Sequence, residues 1–188
     1  MLLNYPTKQS VIQSIEAKNA RVGVIGLGYV GLPFLVEKAK VGFNVVGIDA
    51  NSERTAMVAR AENYIKDVKD EDLKAVVDRG LVTVSTDFSV IKDLQVIVIC
   101  VPTPLTKNLV PDLQFIEKVT RGIAPYLQPG TLVCLESTTY PGTTEELMQP
   151  ILETSNLKAG IDFYLAYSPE RVDPGNARYT TKNTNKVV

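Results

Sequence analysis

Residues 22–34 read VGVIGLGYVGLPF, with glycines at 26, 28 and 31, and a carboxylate follows at Asp49. Glycines at these intervals let a chain turn tightly after a strand, bring backbone amides against an anion and pack the next helix closely. On that pattern Gly26 makes the turn, Gly28 lets the backbone touch a pyrophosphate, and Gly31 permits close approach of helix and strand. The amides near Tyr29 and Val30 then face the anion at a helix N-terminus. Asp49 ends the next apolar run, the place from which an acid takes both hydroxyls of an adenosine ribose. Its charge repels a 2′-phosphate, so the pattern favours NAD over NADP. Arg54 lies five positions on and weakens that preference slightly. It fits an edge contact with adenine or ribose and a solvent-facing side chain equally well. Glycines serving only a tight β-to-α turn are the competing explanation, and the acid at this distance argues against it.

Three further segments carry unusual polar chemistry: VPTPL (101–105), STTYPGTT (137–144) and SPERVDPGN (168–176). Each follows an apolar run, so each is expected at the carboxyl edge of an open α/β sheet, where ligands bind. Pro102 and Pro104 stiffen the chain around Thr103, which suits either a wall for a flat cofactor or a plain loop. Ser137, Thr138 and Thr139 cluster three hydroxyls at the end of the fifth strand. Thr143 or Thr144 reads as the cap of a helix beginning at Glu145 and Glu146. Glu170, between Pro169 and Arg171, is an activated carboxylate or half of a surface ion pair. Cys100 and Cys134 sit in the apolar runs VIVICV and TLVCLE and read as reduced, buried thiols rather than nucleophiles or a disulfide. The chain has no histidine, which excludes within it a histidine general base, a histidine-containing metal site and a Ser-His triad. No metal site is expected.

The elements that must position these residues alternate along the chain. β-branched runs beginning at Arg21, Phe43, Leu81, Gln95, Thr131 and Phe163 read as strands, and the stretches between them as helices. The first helix spans residues 29–41, with Gly42 as its stop; Asn51 or Ser52 caps the next. Asp112 opens a helix whose Leu113, Ile116, Val119 and Ile123 share a face. Near-continuous apolar strands require cover on both faces, so the fold class is α/β: a Rossmann-type, doubly wound, mainly parallel sheet. Residues 1–20 form a helical extension, through Val11, Ile12 and Ile15, and 21–188 the dinucleotide-binding domain. Residues 61–80 add a polar loop and a helix whose charges make a solvated face.

Composition agrees with a folded domain: of 188 residues, 45% are hydrophobic and 22% charged, with a formal net charge of -1. That balance offers no basic field for nucleic acid or anionic lipid. The N-terminus lacks the plan of a signal peptide, and no apolar run reaches membrane-spanning length, so a cytoplasmic protein is expected.

VGVIGLGYVGLPF, VICVPTPL, LESTTYPGTT and YSPERVDPGN, in this order, resemble the N-terminal domain of the UDP-glucose/GDP-mannose dehydrogenase family. SPERVDPGN with STTYPGTT is most similar to the branch that oxidises N-acetylated sugars, the UDP-N-acetylglucosamine 6-dehydrogenases. The resemblance implies oxidation of the C6 alcohol of a UDP-N-acetylhexosamine to a carboxylate in two NAD-dependent steps, through an aldehyde captured by a cysteine and hydrolysis of a thioester. The product would serve polysaccharide, O-antigen or capsule synthesis. By the same resemblance Thr139 positions the hydrolytic water and Glu170 acts as acid/base or orients that water. Thr103 and Thr139 line the nicotinamide side, and residues 171–175, including Arg171 and Asp173, approach the sugar nucleotide. Family members carry the nucleophilic cysteine, in a GGxCxPKD setting, and the catalytic lysine in later domains, and neither motif occurs in these residues. The resemblance therefore implies an NAD-binding half, inactive alone, of a protein that adds a dimerising helix and a UDP-binding domain. A regulatory domain that senses NAD(H), and the N-terminal domain of a hydroxyacid or 6-phosphogluconate-type dehydrogenase, are the alternatives.

Overall fold

Six strands form in a computed structural model that describes residues 6–171 and Asn185. They are β1 (Arg21–Ile25), β2 (Asn44–Ile48), β3 (Val82–Ser85), β4 (Val96–Ile99), β5 (Leu132–Leu135) and β6 (Tyr164–Tyr167). All neighbours pair in parallel, in the order β3-β2-β1-β4-β5-β6. The direction of winding reverses between β1 and β4, which opens a crevice at their carboxyl ends. The expectation of a doubly wound α/β sheet is met, and among the described strands the sheet is wholly parallel.

The helices are α1 (Lys8–Glu16), α2 (Gly31–Lys40), α3 (Ser52–Ala59), α4 (Asp70–Asp78), α5 (Gln114–Ile123) and α6 (Gln149–Leu152). Two apolar layers flank the sheet. One joins Leu32, Leu35, Val36 and Ala39 of α2 to Val22, Val24 and Val45, and extends to Leu73 and Val76 of α4. The other joins Ile116, Val119 and Ile123 of α5 to Ile97, Ile99, Val133 and Leu135. Strands apolar on both faces are what two covering layers demand.

Local signals set the boundaries. Helix α2 begins at Gly31, two residues later than the pattern suggests, and tolerates Pro33 because the first turn needs no amide there. At its end Gly42, at φ 106°, donates its amide to the Ala39 carbonyl at 3.0 Å. Asn51, not Ser52, caps α3: its Oδ1 accepts from the amides of Glu53 and Arg54 at 2.9 and 3.2 Å. Asp112 Oδ1 accepts from the Gln114 amide at 3.0 Å as α5 opens.

One expectation is corrected. Neither Thr143 nor Thr144 caps a helix. Residues Thr143–Met148 form a π-helix preceded by Gly142 at φ 94°, and the Gln149 amide donates to the Thr144 carbonyl, five residues back. Pro150 follows with no amide to give, so an ordinary α-helical ladder through this point would lack a rung. The segment 61–80 carries the expected solvated face and an apolar side as well. Its charged residues are largely exposed, but Ile65 and Val68 are buried against the α2 and α4 layer, with Tyr64 packed beside them. Helix α1 buries Val11 and borders, with Pro6, a small cavity beside Leu94, Gln95 and Gly130, at the amino ends of β4 and β5. That end of the sheet is opposite the crevice.

Candidate cofactor and active site

Three glycines have three different neighbourhoods. Gly26 sits at φ 92°, and a Cβ built on it would lie 2.4 Å from the Cys100 carbonyl oxygen. A Cβ on Gly31 would lie 1.8 Å from the Gly26 carbonyl oxygen, so α2 could not start where it does with any other residue. A Cβ on Gly28 would meet nothing within 4 Å. No protein group therefore demands glycine at position 28, and the open side of that residue belongs to a cavity.

That cavity, about 560 Å³, lies at the switch point and is bordered by Gly26, Gly28, Tyr29 and Val30 on one side and by Val101, Pro102 and Thr103 on the other. Asp49 and Arg54 border it from the end of β2, Phe88 and Lys118 from beyond β3 and from α5, and Glu136, Ser137, Thr138 and Glu170 from beyond β5 and β6. Its size falls within the range of small-molecule and cofactor pockets.

Asp49 is 8% exposed, and both of its oxygens accept backbone bonds: Oδ2 from the Leu27 amide and Oδ1 from the Asn51 amide, each at 2.8 Å. The Arg54 guanidinium stands 3.6 Å from Oδ2 with its side chain about half exposed. A carboxylate has about four acceptor positions, so one bond to the glycine loop and one to the Asn51 amide leave capacity for further donors. Asp49 thus both borders the cavity and braces the loop. Tyr64, which spacing did not single out, donates its hydroxyl to the Leu27 carbonyl at 2.7 Å.

Across the cavity, Thr103 Oγ1 donates to the Thr138 carbonyl at 2.5 Å and Ser137 Oγ to the Val101 carbonyl at 2.8 Å. These two bonds stitch the loop after β4 to the loop after β5. Thr139 does not end the fifth strand, which stops at Leu135, and it does not border the cavity. Its hydroxyl lies 2.7 Å from that of buried Thr143, whose own proton goes to the Tyr140 carbonyl at 2.9 Å. A hydroxyl has one proton, so Thr139 must donate to Thr143 and presents only lone pairs to anything else.

Glu136 is the site residue that the sequence reading passed over. It is 5% exposed, directly follows β5 and borders the cavity. The signal was present in TLVCLE, where a carboxylate closes an apolar strand at the ligand edge. Glu170 is half-buried and also borders the cavity, while Arg171 is exposed. Asp173 lies outside the described residues. Cys100 is buried at the cavity wall and Cys134 is half-buried; no disulfide joins them. Among the described residues no cluster of His, Cys, Asp or Glu could hold a metal ion, and no helix is long and apolar enough to cross a membrane.

A parallel sheet in this order, with a glycine-rich turn and an acid at its switch point, defines a dinucleotide-binding Rossmann domain. The chain belongs to the UDP-glucose/GDP-mannose dehydrogenase family: the family's NAD binding domain matches residues 20–188, so the dinucleotide is NAD. It is 39% identical over 156 residues to a UDP-N-acetyl-D-mannosamine dehydrogenase of Pyrococcus horikoshii, covering 82% of this chain and 37% of that protein. It is 38% identical over 175 residues to a UDP-N-acetyl-D-glucosamine 6-dehydrogenase of Pseudomonas aeruginosa, covering 91% and 40%. Among solved structures, a ternary complex of GDP-mannose dehydrogenase from Pseudomonas aeruginosa superposes with a TM-score of 0.79 at 31% identity, covering 82% of this chain and 37% of that one. The chain thus spans about two fifths of the length of the curated relatives it matches.

Proposed function

We propose that this chain is the NAD-binding part of a cytoplasmic dehydrogenase that oxidises the C6 alcohol of a UDP-N-acetylhexosamine to the uronic acid, supplying precursors for surface polysaccharide. The observation that carries the reading is one cavity bordered on one side by the glycine loop and Asp49 and on the other by Thr103, Glu136 and Glu170. Relatives that bear such activities in their names, at 33–39% identity, support it.

The residues fit the cofactor, since the side of Gly28 that meets no protein atom adjoins the cavity. Bound NAD supplies the hydride acceptor. The amides from Gly28 to Val30, at the start of α2, bind the pyrophosphate. Asp49 takes the adenosine ribose, with Arg54 at its edge, and Pro102 and Thr103 wall the nicotinamide end. Glu136 takes or orients a proton at the reacting alcohol or at water, and Glu170 borders the same cavity as a second carboxylate. Thr139, held as an acceptor next to the cavity wall, orients a water by accepting the water's O–H. Arg171 approaches the sugar nucleotide. The thiol nucleophile, the lysine, the uridine site and the dimer contacts lie outside these residues, so this chain alone binds NAD and does not turn over.

Titration calorimetry on the purified chain tests the reading. NAD should bind and NADP should not, and Asp49→Asn should weaken NAD roughly tenfold or more, the scale of hydrogen bonds to a charged group. No NADH should accumulate with UDP-N-acetylglucosamine and NAD. Equal affinity for NAD and NADP, or turnover by this chain alone, overturns it.

A further inference from the structure

Of the three glycines in the loop, Gly28 is the one whose added Cβ would meet no protein atom, so steric contact there does not fix the peptide between Leu27 and Gly28. Gly26 is locked between Cys100 and Gly31, whereas Gly28 has no Cβ and no protein atom waiting for one. A glycine beside a peptide lets that unit rotate at little cost. One polar contact anchors the peptide before it, and another resists the rotation itself. The Leu27 amide is held by Asp49 Oδ2, and its carbonyl by the Tyr64 hydroxyl, at 2.8 and 2.7 Å. In a trans, planar peptide the Gly28 N–H points opposite the Leu27 C=O. Tyr64 does not border the cavity, and Gly28 does.

We infer that Tyr64 is a positioning residue for the cofactor, holding the Leu27 carbonyl so that the Gly28 amide is turned to the side where a pyrophosphate must lie. The inference rests on the NAD-binding reading above and assigns a part of it to a residue that touches no ligand itself. The chemistry of the group suits the task. Burial, with the Asp49 charge second, raises the Tyr64 hydroxyl to about 12, so it keeps its proton and donates throughout the neutral range. Its ring packs against the α2 and α4 layer, which fixes the height of the hydroxyl above the loop.

The test separates the two ends of the adenosine diphosphate unit. Tyr64→Phe keeps the ring and removes only the donor, so affinity for ADP-ribose and NAD should fall roughly three- to tenfold, the worth of one hydrogen bond. Affinity for adenosine, read by Asp49 with no pyrophosphate, should stay within about twofold, a change no larger than ordinary coupling between separate contacts. Equal loss for adenosine and ADP-ribose would reduce Tyr64 to general support of the fold, and no loss for either would remove it from the site; both overturn the inference alone. Failure of the unsubstituted chain to bind ADP-ribose would overturn the cofactor reading and this inference with it. Should Tyr64→Phe not fold, 4-aminophenylalanine and 4-methylphenylalanine at position 64 give the same comparison, with similar bulk and with or without a donor. The amino form is expected to restore ADP-ribose affinity and the methyl form is not.

Discussion

The two walls of the cavity are built by different means. The wall from β1 and β2 is backbone: a glycine loop whose amide at Leu27 is fixed by Asp49 and whose carbonyl is fixed by Tyr64. The wall from β4, β5 and β6 is side chain: Thr103 and Ser137 tie two loops together, and Glu136 and Glu170 face the cavity from strand ends. Backbone is suited to an anion that every dinucleotide carries, because amides are always present and need only direction. Side chains are suited to chemistry that differs among enzymes of one fold, because they can be exchanged without rebuilding the sheet.

The sharpest way to break the first wall is Gly31→Ala. Its Cβ would fall 1.8 Å from the Gly26 carbonyl oxygen, a backbone atom that cannot swing aside as a side chain would. The helix must shift along β1 or the turn must open, and overpacking of this kind costs about 3 kcal/mol or more. Urea unfolding should show that loss together with loss of NAD binding. A variant with unchanged stability would mean that the loop is far softer than its contacts imply.

The second wall should yield more locally. Thr143→Val keeps the volume of a buried side chain but removes the hydroxyl that donates to the Tyr140 carbonyl and accepts from Thr139. The expected cost is about 1–2 kcal/mol, that of the two part-buried hydrogen bonds lost, measured by urea unfolding. Affinity for ADP-ribose should change by no more than roughly twofold, because that ligand is read by the other wall. A large loss of ADP-ribose binding would show that the two walls are not independent.

The same division explains what could be read from the residues. Glycine spacing reports backbone geometry directly, so the turn at Gly26, the helix that follows it (though not its start at Gly31) and the acid at Asp49 were legible at once, as were the six strands from their β-branched runs. Side-chain contacts depend on what folding brings together. Tyr64 reaches Leu27 from a loop that reads as polar and exposed, and nothing in its spacing records the meeting. Glu136 was hidden by the opposite problem, a carboxylate absorbed into an apolar strand run. The hydroxyls of STTYPGTT were visible as a group, but their division of labour was not. Ser137 bonds to the backbone, Thr138 borders the cavity, and Thr139 is turned by Thr143 within an irregular helix that periodicity does not foresee.

Gly28→Ala carries the smallest expected effect on folding and distinguishes the two walls most cleanly. The position is outside the positive-φ region, and an added methyl meets no protein atom within 4 Å. Replacing such a glycine also removes conformational freedom from the unfolded chain, so stability should be unchanged or higher by up to ~1 kcal/mol. The methyl would nevertheless occupy the space through which backbone and pyrophosphate approach, and NAD affinity should fall at least roughly tenfold, a loss of about 1.4 kcal/mol. Unfolding and calorimetry on one preparation give both quantities. Preserved binding would move the pyrophosphate away from this loop, whereas a stable variant that no longer binds shows glycine at this position kept for a ligand and not for the fold.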